Sequence, residues 1–473
     1  MKDSKLFVLL RTLSADEMRW LNKFVKSPFH NSNQHVVHLY ELLRKHHPEL
    51  PHPKLSKEAL FKKLFPKASF DIQRLRLVMH RLAKQVEAFL VAMRLREQSF
   101  EQDKLLVAEL SRRNTFELFQ KKTKELLQQL EEKPFRDRQY YKHREELYLQ
   151  WYRHPVTNKQ AVGMGTLYMA MDNLDAYFSL SKIQLSAALQ ERAKTLAEEY
   201  EVRYFEEVRA IGQTSFESPN LLFLLYSSLI KLQMAPDDHA LYEKVAGLFL
   251  KVLPRIRKVE KQDILRILIN FTSRQLNRGN EDYLIKTFNW YRTGLDANFL
   301  LFNNELTENT FSNIVKLGGH CQEFEWTEKF IHDYEGYLDE QIRKDAVTIS
   351  LGALRFSQKD YFKTVELLAN HRFQKTYQFL SAKTLILRSY LELYTVDNSY
   401  FDLLVAQTNN FEKYIRNNKS ISPNKAEAYL SFAKFIRKIA KTKFETKKKE
   451  RLAAQIMETK NLMLKRWLIR KIK

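Results

Sequence analysis

Apolar residues recur at helical spacing almost from the start of the chain. Ser14-Ala15-Asp16-Glu17 has the form of a capping box, and Met18, Leu21, Phe24 and Val25 then share one face. Pro28 closes that helix, because it disfavours the α region for Ser27. Val36, Val37, Leu39, Tyr40, Leu42 and Leu43 predict a second helix ending before Pro48, and Leu50-Pro51-His52-Pro53 predicts a connector. Ser56 caps a short helix through Leu60, Phe61 and Leu64, which Phe65-Pro66 closes. A long helix is predicted from near Phe70, carrying Leu75, Val78, Met79, Leu82, Val86, Phe89 and Leu90 on one stripe. Together these predict an N-terminal helical domain over about residues 1–98.

Beyond it, helix-length apolar stripes follow one another without the alternation that marks strands. The punctuation falls at Lys133-Pro134, Ser218-Pro219, Ala235-Pro236, Arg278-Gly279-Asn280, Lys359-Asp360 and Ser422-Pro423, at intervals of one or two helices. Serial helix pairs suggest an array in which each pair buries its face on its neighbours. The expected fold class is therefore all-α, with helix pairs over 99–440 and a basic amphipathic C-terminal helix over 441–473.

Composition narrows the picture. With 44% hydrophobic residues in 473, the chain can bury a substantial core, which excludes disorder. It has 10 Gly and 11 Pro, where average usage would give roughly 33 and 24, so tight turns are few. The single cysteine, Cys321, excludes an intrachain disulfide and thiolate-rich zinc sites, and points to a reduced, cytoplasmic setting. The apolar run of the first eleven residues is too short for a secretory leader, and no stretch approaches the roughly 20 apolar residues of a membrane span.

The net charge of +23 is concentrated at the ends: residues 1–100 carry +10, residues 434–473 carry +12, and the rest +1. Two basic poles around a neutral middle point to anionic partners reached by the ends, or to solvated helix faces.

The best repeat signal is Leu351-Gly352-Ala353-Leu354 with Lys359-Asp360-Tyr361 and Thr364. It resembles a tetratricopeptide unit, with Gly352 at the small pair of the first helix, Tyr361 at the turn and Thr364 where that family usually has Ala. A weaker copy, Phe324-Glu325-Trp326-Thr327, lies 37 residues earlier by the Thr327 to Thr364 spacing, against a period of about 34. The resemblance covers about 300–420 and implies a right-handed superhelical array, with Gly352, Tyr361, Thr364 and Thr327 as packing positions. The run Phe24-Val25-Lys26-Ser27-Pro28-Phe29-His30-Asn31 with Leu64-Phe65-Pro66 also looks like a family of uncharacterised bacterial helical proteins, which brings no activity with it.

Catalytic signatures are absent: there is no G-x-x-x-x-G-K-[ST], G-x-G-x-x-G, H-E-x-x-H or G-x-S-x-G. Gly163-Met164-Gly165 and Gly318-Gly319 lie in helical patterns rather than after strands. Cys321 beside His320 lacks a third orienting group and reads as a packed cysteine. His35 and His38 share a helix face and could hold a metal with Glu41 or His30, but nothing in the spacing shows convergence. No cofactor and no metal is expected, and no enzyme activity.

Two basic segments are candidates for polyanions. The short helix 57–64 followed by the long helix resembles the helix pair of a winged-helix transcriptional activation domain, which implies that Arg74, Arg81 and Lys84 face phosphates or base edges. A wing would require a β-hairpin where the chain after Leu90 still reads as helix. At the other end, Lys447, Lys448, Lys449 and Arg451 lead into an apolar stripe of Leu452, Ile456, Met463, Trp467 and Leu468, with Lys460, Lys465, Arg470 and Lys471 opposite. This segment reads as a terminal cap, a helix that binds RNA or another polyanion, or one that lies on an anionic membrane surface. The leading functional expectation is a non-catalytic scaffold binding a polypeptide on its helical surface; the alternative is a nucleic-acid-associated factor using the basic poles.

Overall fold

The computed structural model describes residues 4–472 except 51–54, 160–163, 197, 199, 217, 236, 302 and 443–445. The described residues form twenty-four α-helices and two short 3₁₀ turns, with no strand among them. None of the helices is long and apolar enough to cross a membrane. The chain divides into two compact units, Met1–Phe178 and Ser179–Lys473, and the division falls inside the helix Met164–Leu196.

In the first unit, the helix Ile72–Arg96 is a pillar on which Lys5–Arg11, Ala15–Lys26, Gln34–Arg44 and Lys57–Leu64 pack. Each helix begins where its sequence supplies an acceptor. Ser14 and Glu17 complete the capping box, Ser56 accepts from the Ala59 amide, and Asp71 accepts from the Gln73 and Arg74 amides. The core runs from Leu6 to Phe89 and centres on Phe7, Leu21, Leu39, Tyr40, Phe61, Leu82 and Val86. Lys5–Arg11 contributes Leu6, Phe7 and Leu10 to it, although the sequence pattern announced no helix there.

The second unit contains helix pairs in succession: Leu221–Met234 with His239–Val252, Lys258–Arg278 with Tyr283–Asp296, and Glu308–His320 with Phe324–Tyr334. Glu340–Ser357 with Tyr361–Ala369, Thr376–Val396 with Phe401–Asn417, and Pro423–Lys441 with Thr446–Glu458 follow, and Lys465–Ile472 ends the chain. Inside the unit, the buried Glu191 carboxylate accepts from Arg274 at 2.8 and 3.1 Å, from Asn270 at 3.0 Å and from Gln233 at 3.0 Å. A buried carboxylate is tolerated only with such partners, and these come from two other helices.

One turn recurs. The helices ending at Arg112, Arg278, Asp296, His320 and Ser357 are each closed by a left-handed residue, respectively Asn114, Gly279, Asn298, Gln322 and Lys359. In each, the next amide reaches back five residues, as in Thr115 to Leu110, Asn280 to Gln275, Phe299 to Gly294, Glu323 to Gly318 and Asp360 to Arg355. This is the Schellman pattern, which satisfies carbonyls that the helix end would otherwise leave bare.

Candidate interaction surfaces

Arg74, Arg81 and Lys84 lie on the exposed face of Ile72–Arg96, opposite Leu75, Leu82, Val86 and Phe89. Arg74 places its guanidinium 4.0 Å over the Phe65 ring, and Lys84 pairs with Glu87 at 3.1 Å. The chain after Leu90 stays helical, as its sequence reads: the helix Ser99–Arg112 follows directly, and no hairpin that could serve as a wing occurs among the described residues. The winged-helix resemblance therefore stops at the helix pair, leaving a basic helix face without the second element that would grip a duplex.

The C-terminal segment forms two helices, Thr446–Glu458 and Lys465–Ile472, where the sequence suggested one over 441–473. The break is tertiary in origin. Asn461 donates to the Asn424 carbonyl at 2.7 Å and to Glu427 at 3.0 Å, and Leu464 adopts a left-handed φ of 52°. Leu452, Ile456, Leu468 and Ile472 are buried with Phe432, Ile436 and Leu391. The cations opposite are largely used within the fold. Arg466 donates to the Leu276 carbonyl at 3.2 Å and to that of Asn277, covering the C-terminus of Lys258–Arg278. Arg470 pairs with Glu281, and Lys471 with Glu392. Lys449 is half-buried and Arg451 exposed, while the side chains of Lys447 and Lys448 lie outside the described residues.

The four repeat positions meet in two hairpins. Thr364 is fully buried between Glu340–Ser357 and Tyr361–Ala369, and a Cβ on Gly352 would lie 2.9 Å from Leu368. Thr327 is fully buried too, donating to the Glu323 carbonyl at 2.6 Å, and a Cβ on Gly318 would clash with its hydroxyl. Tyr361 packs edge-on against Phe356 at 5.3 Å. The Gly318-Gly319 pair is thus a close-packing device: Gly318 faces Thr327, and Gly319 faces Ser357 of the next pair. Of Gly163-Met164-Gly165, Gly163 lies outside the described residues.

Sequence reading missed a cationic cluster centred on Arg388. Its guanidinium lies 4.2 Å from the Phe356 ring centroid and 4.8 Å from that of Trp467. Its Nε is buried without a hydrogen-bond partner among the described residues. Burial lowers its pKa to about 10. Lys316 and His320, one helical turn apart on Glu308–His320, both have lowered pKa values through burial and the field of Arg388. Both are nonetheless exposed to solvent.

A second feature missed in the sequence lies on Met164–Leu196. Tyr168, Met171, Phe178, Leu185, Leu189 and Leu196 fall at helical spacing on one face and are 45–62% exposed. The signal was present, but the opposite face of this helix is also rich in apolar residues, so no amphipathic contrast marked it.

The candidate metal ligands are engaged elsewhere: His30 stacks on Phe24 at 3.9 Å, His35 lies 4.5 Å from Phe65, and Glu41 pairs with Lys26 at 2.6 Å. No group of three metal-ligating side chains converges among the described residues. Cys321 closes the helix Glu308–His320, and burial and Glu323 push its thiol pKa up, away from the thiolate. Comparison with family models, with curated proteins and with solved structures returns no match.

Proposed function

We propose that the protein is a non-catalytic cytoplasmic scaffold that holds a polypeptide on a tetratricopeptide-like stack of helix pairs over residues 308–441. The observation that carries this reading is the order of contacts. The first helices of successive pairs, Glu308–His320, Glu340–Ser357, Thr376–Val396 and Pro423–Lys441, pack on one another, while the second helices make no comparable contact with one another. A stack joined along its first helices curves, with those helices on the inner wall. Side chains on such a wall are within reach of a peptide, and Lys316 and His320 are exposed on the first of these helices.

Rows of parallel helices suit an extended or helical peptide. Lys316 has no ion-pair partner among the described residues, and Arg388 lies against the Phe356 and Trp467 rings in the fields of Tyr361 and of Glu392, which Lys471 already holds. Cations in this state favour a peptide carrying carboxylates. The test is affinity capture with the full chain from nuclease-treated lysate. A stoichiometric polypeptide that is lost with Lys316→Glu supports the reading, and a chain recovered alone counts against it.

A second reading, a nucleic-acid-associated factor, is favoured by the exposed face bearing Arg74, Arg76, Arg81 and Lys84. The C-terminal pole adds less to it, since Arg466, Arg470 and Lys471 are taken up inside the fold.

A further inference from the structure

We propose that Arg388 and Lys316 form a binding site for a phosphomonoester dianion. Both belong to the unit Ser179–Lys473, Lys316 on the helix Glu308–His320 and Arg388 on Thr376–Val396. The helix Glu340–Ser357 packs on each of these two.

A guanidinium carries only N–H donors, and donors withdrawn from bulk water need acceptors. Those of Arg388 have none within the fold. Its Nε is shut off from water with no acceptor, and no acceptor among the described residues reaches its two terminal nitrogens. The residue keeps part of its surface in water, and with Nε closed off a ligand meets the terminal pair. The Phe356 and Trp467 rings, with centroids 4.2 and 4.8 Å from the guanidinium carbon, hold the group in place instead. A fork fixed in this way loses little entropy when it takes two oxygens of one ligand.

Charge then selects the ligand. The carboxylates whose fields reach this cluster are Glu392 and Glu281. Lys471 already holds the first and Arg470 the second. Arg388 and Lys316 are therefore two cations without a counter-ion among the described residues. Burial, and after it the field of Arg388, keeps the Lys316 pKa below its ordinary value. A carboxylate would cancel one of the two charges. A phosphomonoester carries about −1.5 to −2 at neutral pH and three acceptor oxygens, two for the Arg388 fork and one for the Lys316 ammonium. The group is borne either by a phosphorylated side chain of the bound polypeptide or by a small phosphorylated compound. Only the first source rests on the scaffold reading.

The test is isothermal titration calorimetry of the full chain with inorganic phosphate, O-phosphoserine and acetate, at a pH well above the second phosphate pKa of about 6. Both phosphates should bind at one site about tenfold or more tightly than acetate. Lys316→Gln should weaken phosphate by about tenfold, and so should Arg388→Lys, which keeps the charge and loses the fork. Lys251→Gln, exposed on another helix pair of the same unit, should leave binding unchanged. Far-UV circular dichroism confirms the fold of each variant, and Lys316 is exposed, so its variant tests the site even where Arg388→Lys does not fold. Phosphate that binds no more tightly than acetate, or as tightly to Lys316→Gln as to the parent, overturns the proposal. Capture from lysate with and without phosphatase then identifies the source. A polypeptide that phosphatase releases is the carrier, whereas phosphate binding with a phosphatase-resistant polypeptide, or with none, assigns the site to a small phosphorylated compound. A polypeptide retained by a chain that binds no phosphate overturns this inference and leaves the scaffold reading standing.

Discussion

Thr364 lies beneath Gly352, its hydroxyl donating to the Asp360 carbonyl at 2.9 Å and standing 3.4 Å from the Gly352 carbonyl. The two helices cross here with no volume to spare, because Thr364 is fully buried and a Cβ on Gly352 would meet Leu368 at 2.9 Å. Gly352→Ala and Thr364→Leu should each destabilise by about 1–3 kcal/mol through overpacking. Thr364→Ala should change stability by less than about 1 kcal/mol, because the lost hydroxyl bond is set against better helix propensity. Denaturant melts of the three variants check this, and a harmless Thr364→Leu would refute the crossing.

Lys359 and Gln322 hold the left-handed conformation at equivalent hairpin turns, with φ of 64° and 62°. An L-residue with a Cβ is strained there by about 1–2 kcal/mol relative to glycine, and part of that is returned because glycine costs more entropy to order. Both side chains are exposed, so removing them forfeits little packing. Lys359→Gly and Gln322→Gly are expected to stabilise by about 0.5–1 kcal/mol each and to add when combined. Lys359→Val should destabilise, since a β-branched residue fits this region worst. Thermal melts of the four variants against the parent decide it.

The local rules were legible and the distant partners were not. Ser14 with Glu17 announced its capping box, and the stripe from Leu75 to Phe89 announced the pillar, because both depend on residues within a few turns of each other. The destination of Arg466 is the end of a helix some 190 residues earlier, and no periodicity connects it with Leu276. The turn at Lys359 carries no glycine, so its left-handed residue had no marker of its own beyond the Asp360-Tyr361 that follows. Arg388 and Lys316 belong to different helix pairs, and their mutual field exists only once those pairs are stacked. Lys5–Arg11 escaped because seven residues are too few to establish a period.

His154 gives the first unit a sensitivity to acid. The ring is fully buried, with centroids 4.9 Å from Phe116 and 4.7 Å from Phe119, and its Nδ1 accepts from the Val156 amide at 3.2 Å. Burial holds its pKa below the ordinary 6.5. At pH above 6.5 the ring is neutral in both folded and unfolded chains, and its contribution is complete. As pH falls below 6.5 the unfolded chain takes up the proton first, so stability declines until the lower folded pKa is reached. His154→Asn keeps an acceptor for Val156 without titrating, at a cost in packing. The stability gap between the parent and this variant should therefore narrow from pH 7.5 to pH 5, and a constant gap would show that His154 does not titrate differently in the two states.

The two basic poles should separate when polyanion binding is measured. Arg466 is a helix-capping residue, with its guanidinium on the Leu276 and Asn277 carbonyls and packed 3.4 Å from where a Cβ on Gly279 would stand. Arg466→Ala should then lower stability by about 1 kcal/mol, through loss of the cap and of the favourable interaction with the helix end. It should leave any affinity for single- or double-stranded nucleic acid unchanged. Arg74, Arg81 and Lys84 are exposed, and replacing all three by Gln should leave stability nearly unaltered. If this face binds duplex DNA, each phosphate it neutralises adds about 0.9 to the slope of log affinity against log salt, so the triple variant should flatten that slope by up to about 3. Fluorescence anisotropy across a salt series reads both quantities. An unchanged slope in the triple variant would remove the N-terminal face from nucleic-acid binding, and a slope that flattens with Arg466→Ala would mean that this guanidinium leaves its carbonyls to meet the polyanion.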